Sequence, residues 1–213
     1  MTTVSEERRR TVEAGYDALA DRLGEWMERV EGDPWERYLG ELAALLPVHA
    51  RVLALGCGDG SKISRLADRF DVVGVDVSER QLHRAREAVP AATLVHADFT
   101  DLECPAQSFD AATALYSIVH TPREEHAALL GRIRRWLKPG GHLLLSMSHV
   151  GGPGRVEDWL GVEMFFSGFD AETNCRLVRE AGFEVLSDEV EWMHEPEPRG
   201  DTAFLWVLAR KPE

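Results

Sequence analysis

Three glycines at alternate positions, Gly56, Gly58 and Gly60, close the run "VLALGCGDG" at residues 52–60, with "SKISRLADRF" directly behind them. Glycine has no Cβ and tolerates positive φ, so a strand ending in such a loop lets backbone N–H donors approach a ligand closely. The dinucleotide pattern GxGxxG is not matched, because Gly60 comes one position early and Ser61 fills the sixth place. A second strand, "VVGVD", ends at Asp76, twenty positions after Gly56. A carboxylate at that tip can accept two hydrogen bonds from a ribose 2′,3′-diol; its alternative role is to cap the helix that follows, for which Ser78 is better placed. A third strand ends in "HADF", where Asp98 can accept from an adenine amino group and Phe99 can pack on the base, or where the pair is simply a turn acid beside a core aromatic.

The elements that must position these residues follow from periodicity. From Ser5 to Leu46 apolar residues recur at three- and four-residue spacing and "GDP" at 32–34 interrupts them, which predicts two leading helices. From Arg51 short apolar runs alternate with amphipathic stretches: strands "RVLALG", "DVVGVD", "ATLVHA", "FDAATALY" and "HLLLSMS" between helices "SKISRLADRF", "SERQLHRAREAV" and "REEHAALLGRIRRWL". That is a doubly wound α/β pattern. A Gly- and aromatic-rich segment at 149–169 interrupts it and reads as a lid or pocket wall. The helix "DAETNCRLVREAG", capped by Asp170 and closed by Gly182, then precedes two strands, "FEVLSDEVEW" and "TAFLWVLARK", which can pair as a hairpin at the sheet edge. One domain over 1–213 is expected: a helical cap at 1–46, a core at 51–148, the inserted segment at 149–169 and a closing helix and strand pair at 170–213.

Composition excludes several classes. The net charge of −13 opposes a phosphate backbone, so nucleic acid is not an expected partner. The basic runs at 8–10 and 132–138 read as solvated helix faces. No apolar run is long enough to span a membrane, and the N-terminus lacks an apolar signal region, so a cytoplasmic protein is expected. The three cysteines have neither disulfide nor zinc spacing, and no metal is implied.

The ordered set "VLALGCGDG", "VVGVDVSERQLHRAR", "VHADFTDL", "SFDAATALYSIVH" and "LKPGGHLLLSM" resembles the class I S-adenosylmethionine-dependent methyltransferases. "GYDALADR", "MFFSGFDAETNCRLVREAGFEV" and "FLWVLARKP" resemble its bacterial small-molecule branch. The resemblance implies a Rossmann-like seven-stranded sheet, five parallel strands plus the C-terminal pair, with "KPGG" as a turn before the fifth strand. It implies S-adenosylmethionine as cofactor and S-adenosylhomocysteine as product. Gly56, Gly58 and Gly60 would lie against the methionine part, Asp76 would hold the ribose, Asp98 and Phe99 the adenine, and Leu115 would lie near the sulfonium. Cys57, Val77 and Gln81 would add cofactor contacts and Tyr16 would cover it. The departure is Ala54, where family members carry an acid that orients the loop and the cofactor's ammonium; Asp59 is a candidate substitute.

Methyl transfer is an in-line displacement that positioning alone can promote. Where the acceptor must lose a proton, a base near the strand tips can take it. Tyr116, His120 and His149 occupy that side. Each has a second reading: Tyr116 packs on the cofactor, His120 caps the helix near Pro122, and His149 bonds backbone in the Gly-rich turn. Trp159, Phe165 and Phe166 either line a pocket for a small acceptor or form a satellite core. The Cys57 thiol, His142 and Trp206 are expected to be structural, and His83 and His126 to face solvent. The acceptor is expected to be a small molecule and the protein a monomer or homodimer. Two rivals stay open: a nicotinamide-dependent oxidoreductase and a non-catalytic protein that keeps the fold.

Overall fold

The computed structural model describes residues 4–213. Its centre is a seven-stranded sheet in the order β3-β2-β1-β4-β5-β9-β8. The strands are β1 (Arg51–Leu55), β2 (Asp71–Asp76), β3 (Thr93–His96), β4 (Phe109–Ala114), β5 (Leu137–Ser148), β8 (Glu184–Glu195) and β9 (Gly200–Arg210). The first five run parallel; β9 pairs antiparallel with both β5 and β8. The expected architecture of parallel strands with an antiparallel C-terminal hairpin is the one observed.

Strand alternation splits the apolar residues between two cores, as a sheet covered on both faces requires. Leu53, Leu55, Val75, Leu143, Leu145 and Val207 face α6 (His126–Trp136) and α7 (Ala171–Glu180). Val52, Ala54, Val72, Leu144 and Trp206 face α3 (Trp35–Leu45), α4 (Ser61–Ala67) and α5 (Glu79–Ala88). Asp170 caps α7 by accepting from the Thr173 N–H at 2.8 Å, as its position before the apolar run predicts. The strand order reverses between β1 and β4, which places the crevice for a ligand outside their carboxyl ends.

Four details differ from the sequence reading. The N-terminal region holds three helices, because α1 (Val4–Leu19) ends in a turn at 20–22 and a short α2 (Leu23–Met27) follows, with Leu23, Trp26 and Met27 turned to the cavity. "KPGG" is an irregularity within β5: Phe109 pairs with Leu137 but Ala111 with His142, so the residues between loop out of register, with Gly140 at φ 73. The inserted segment is a two-stranded sheet of its own, β6 (Gly152–Trp159) and β7 (Val162–Gly168), packed against α1. His126 is buried, with Nε2 3.3 Å from the Thr121 carbonyl, because it opens α6 on its core face; His83 is exposed as expected.

Candidate active site

A cavity of about 660 Å³ opens over the carboxyl ends of β1, β2 and β4, roofed by α1, α2 and the β6–β7 hairpin. Tyr16, Gly56, Cys57, Gly58, Asp76, Val77, Gln81, Asp98, Phe99 and Leu115 all line it.

The glycine loop is held from below by strand backbone. Gly56 and Cys57 donate to the Val75 carbonyl at 2.8 and 3.0 Å, and Gly58 donates to Asp76 Oδ2 at 2.7 Å. The second Asp76 oxygen accepts from Ser78 N–H at 2.9 Å. Burial raises the Asp76 pKa, and the amides of Ser78 and Gly58 oppose the rise by stabilising the charged form. The three glycines have separate reasons. A side chain at Gly56 (φ 74) would strike Ser117, one at Gly58 (φ 56) would meet open space, and one at Gly60 (φ 86) would press on the Ala85 backbone at 3.1 Å. Gly60 therefore serves the packing of α4 on α5 and does not line the cavity. Ala54 lies buried in the core beneath the loop, whose amides are already anchored without an acid there.

Asp98 is bound more tightly than its strand-tip position suggested. Its Oδ1 accepts from Thr100 N–H and Oγ1 at 2.9 and 2.8 Å, and Oδ2 faces Arg8 Nη1 at 2.8 Å, with both side chains under 5% exposed. Arg8 belongs to the basic run read as a solvated face; it is the member of that run that α1 turns inward, four and eight residues before Val12 and Tyr16, which also line the cavity.

The three candidate bases separate by their hydrogen bonds. His120 is buried, and its Nδ1 lies 2.8 Å from the Phe165 carbonyl, which can only accept. Nδ1 thus carries the proton and Nε2 accepts from the Tyr16 hydroxyl at 2.7 Å. Burial lowers the His120 pKa to about 4, and burial with the nearby Asp76 charge pushes the Tyr16 phenol well above its usual range. Tyr116 sits at φ 57, an unusual conformation for a bulky residue, fixed by its N–H on Ser146 Oγ at 2.6 Å and its hydroxyl on Asp33 Oδ1. Burial and the Asp33 charge raise its pKa. His149 differs: Nδ1 donates to the Ala203 carbonyl at 2.8 Å, and Nε2 makes no hydrogen bond among the described residues.

The far half of the cavity is aromatic. Trp159 and Phe166 line it, with Trp26 against Trp159 at 6.0 Å and Tyr16 against Trp159 at 5.9 Å between ring centroids. Phe165 does not line the cavity. Successive strand residues point to opposite faces, so the Phe165 ring packs over Gly154 of the neighbouring strand while Phe166 faces inward. Lys62, Trp35, Glu195, Arg199 and Phe204 also line the cavity and were not singled out from the sequence. They come from a helix face, a cap and a strand pair far apart in the chain; "GDP" at 32–34, read only as a helix break, was the one local sign near Trp35.

A methyltransferase domain family matches residues 52–141. A 27-O-demethylrifamycin SV methyltransferase from Amycolatopsis mediterranei (strain S699) is 35% identical over 195 residues, 81% of this chain and 66% of that protein. The chain belongs to the class I S-adenosylmethionine-dependent methyltransferases. A phosphoethanolamine N-methyltransferase from Arabidopsis thaliana is 32% identical over 65% of the chain and 30% of its own length, so the chain spans two thirds or less of these relatives. Among solved structures, the 1,6-didemethyltoxoflavin-N1-methyltransferase of Burkholderia thailandensis, with 1,6-didemethyltoxoflavin and S-adenosylhomocysteine bound, superposes with TM-score 0.73 over 100% of this chain and 92% of that one at 20% identity. The nicotinamide alternative has no support in these relatives.

The residues present fit a methyltransferase's nucleoside cofactor. Gln81 Nε2 and Asp98 Oδ2 are buried and make no hydrogen bond among the described residues, Oδ2 keeping its ion pair with Arg8. A buried amide donor without a partner, beside a carboxylate oxygen with lone-pair capacity beyond its ion pair, matches the acceptor nitrogens and amino group of a purine. Gly58, where an added Cβ would project into open space, leaves room for the ligand chain.

Proposed function

We propose that this chain transfers a methyl group from S-adenosylmethionine to an oxygen, nitrogen or carbon nucleophile of a small-molecule acceptor. The observation that carries the reading is the Asp76–Gly58 contact at the sheet's switch point beside the unpartnered Gln81 amide and the Asp98 carboxylate paired with Arg8. S-adenosylmethionine supplies an electrophilic methyl carbon on its sulfonium. Asp76 accepts from the ribose hydroxyls, Asp98 and Gln81 bond the adenine, Val77 and Phe99 pack on its faces, and Gly56, Cys57, Gly58 and Leu115 wall the methionine arm. Tyr16, locked on His120, covers the cofactor from α1 and excludes water. His149 takes the acceptor's proton at Nε2: the Ala203 carbonyl fixes its tautomer with that lone pair free, whereas His120 Nε2 is spent on Tyr16 and the Tyr116 hydroxyl on Asp33. Trp159 and Phe166 hold the acceptor's apolar body.

No helix among the described residues is long and apolar enough to cross a membrane. The net charge of −13 supports a small acceptor over a nucleic acid. On this reading the protein acts in the cytoplasm as a monomer or homodimer, one domain over 1–213. Calorimetric titration with S-adenosylhomocysteine, with NADH as comparator, tests it. The sulfur nucleoside should bind, and Asp76→Ala should weaken it roughly 100-fold, as loss of two hydrogen bonds to a charged acceptor implies. No heat with S-adenosylhomocysteine, or preferential binding of NADH, overturns the reading.

A further inference from the structure

We propose that Lys62 is an anion subsite of this cavity, receiving a carboxylate of a bound ligand. The assignment rests on the methyltransferase reading of the same cavity and adds the charge of what it holds. Lys62 lies in α4, lines the cavity, and places Nζ 5.6 Å from the Trp35 ring centroid and 5.3 Å from that of Tyr116. Two aromatic faces hold a cation in position but accept none of its N–H groups conventionally. Among the described residues Nζ makes no hydrogen bond and has no carboxylate oxygen in ion-pair contact.

The nearest acids, Asp33 and Asp59, act on it through space without an ion-pair contact, and Asp33 Oδ2 is buried with no hydrogen-bond partner among the described residues. Asp33 Oδ1 accepts from Trp35 N–H at 3.2 Å and from the Tyr116 hydroxyl, and Asp59 Oδ1 accepts from Ser61 N–H at 3.0 Å. Burial lowers the pKa of Lys62, and these two charges oppose the change.

The other cations on the cavity wall are engaged or outside. Arg8 is on Asp98, Arg155 on Glu157 at 2.8 Å and Arg199 on Glu195, while Arg84 is exposed on α5 at the nucleoside end. Lys62 is thus an ammonium with three unspent donors, fixed in a cavity of a protein whose overall charge repels anions. A ligand carboxylate satisfies donors and charge together. It comes either from the acceptor or from the methionine arm of the cofactor, since Tyr116 directly follows Leu115 at the tip of β4.

Calorimetry on the full chain and on Lys62→Met and Lys62→Gln distinguishes the sources. The probes are S-adenosylhomocysteine, 5′-methylthioadenosine, which lacks the amino-acid arm, and benzoate titrated against the protein alone and with nucleoside bound. A tenfold or greater loss of S-adenosylhomocysteine affinity in both variants, with 5′-methylthioadenosine unchanged, places the cofactor's carboxylate on Lys62. Loss of benzoate binding with both nucleosides unchanged places an acceptor carboxylate there. If neither S-adenosylhomocysteine nor benzoate weakens in either variant, the subsite is overturned. Should wild type bind neither nucleoside, the methyltransferase reading fails, and the benzoate titration alone still decides Lys62. Retained 5′-methylthioadenosine binding and an unchanged melting temperature show that each variant is folded.

Discussion

The two halves of the cavity are built differently. At the proposed nucleoside end, Asp76, Asp98 and the glycine loop spend polar groups on backbone amides, Thr100 and Arg8, so the residues proposed to bind the ligand also hold the fold. At the acceptor end, Trp26, Trp159, Phe166 and His149 meet from α2, the hairpin and the end of β5, through ring edges and single hydrogen bonds. The first half is a fixed cradle for a ligand common to many relatives. The second is a wall assembled from separable pieces, where substitution changes the occupant without unmaking the sheet.

If that contrast is right, the largest stability loss comes from the cradle. Asp98→Ala leaves the Arg8 guanidinium buried without a counter-charge, and breaking a buried pair by removing one partner costs about 3–5 kcal/mol. Urea unfolding should show a loss of this size, and Asp98→Ala combined with Arg8→Met should recover much of it. A loss below about 1 kcal/mol would show that water reaches Arg8 and that the cradle is not closed.

Next in size is the acid response of the seam where the halves meet. His120 titrates near 4 when folded because of burial, against an ordinary value near 6.5 unfolded. Below pH 6.5 the unfolded chain therefore binds a proton that the folded one does not, so stability falls with pH from about 6.5 to about 4 and the effect is complete below that. The loss reaches about 3 kcal/mol. His120→Gln, which keeps an acceptor for Tyr16, should flatten the stability profile in that window; an unchanged slope would place the proton uptake elsewhere.

What was legible in the sequence divides along the same line. The strand–glycine–helix unit and Asp76 lie at the ends of short unbroken apolar runs, buried on both faces, which state both their element and which end of it they occupy, and Asp98 follows a third short strand. Arg8 was misread because charge spacing alone cannot tell which turn of α1 faces the sheet. Lys62 was passed over because a single lysine on a helix ordinarily faces water, and only the approach of Trp35 and Tyr116 from distant segments makes it a half-buried cation in the cavity wall. Phe165 and Phe166 are adjacent, so pairing them in one pocket wall conflicted with strand alternation; the Gly-rich composition of the segment hid that it was a strand at all.

A glycine sharpens the comparison from inside the loop. Gly60→Ala places a Cβ 3.1 Å from the Ala85 and Val89 side of α5 at φ 86, whereas Gly58→Ala meets nothing within 4 Å. The first should cost about 1–3 kcal/mol of stability through overpacking. The second also bears the strain of its positive φ but should act chiefly on ligand affinity. Melting curves beside S-adenosylhomocysteine titrations separate the two; equal affinity losses in both would return Gly60 to the ligand site.

The smallest effect on the fold, and the most direct probe of the acceptor wall, is Trp192→Ser. Trp192 is 62% exposed on edge strand β8, so its removal should change stability by no more than about 0.5 kcal/mol. Its ring nevertheless stands 5.6 Å from that of His149, at an interplanar angle of 62°, beside the imidazole's Nδ1 bond to the Ala203 carbonyl. An edge-to-face ring contact is worth about 0.5–1.5 kcal/mol, so turnover of an acceptor should fall between roughly twofold and tenfold while the affinity for S-adenosylhomocysteine holds. A loss of cofactor affinity of the same size would show that the halves are coupled through β5, and the picture of a fixed cradle beside an independently variable wall would give way to one of a single cooperative site.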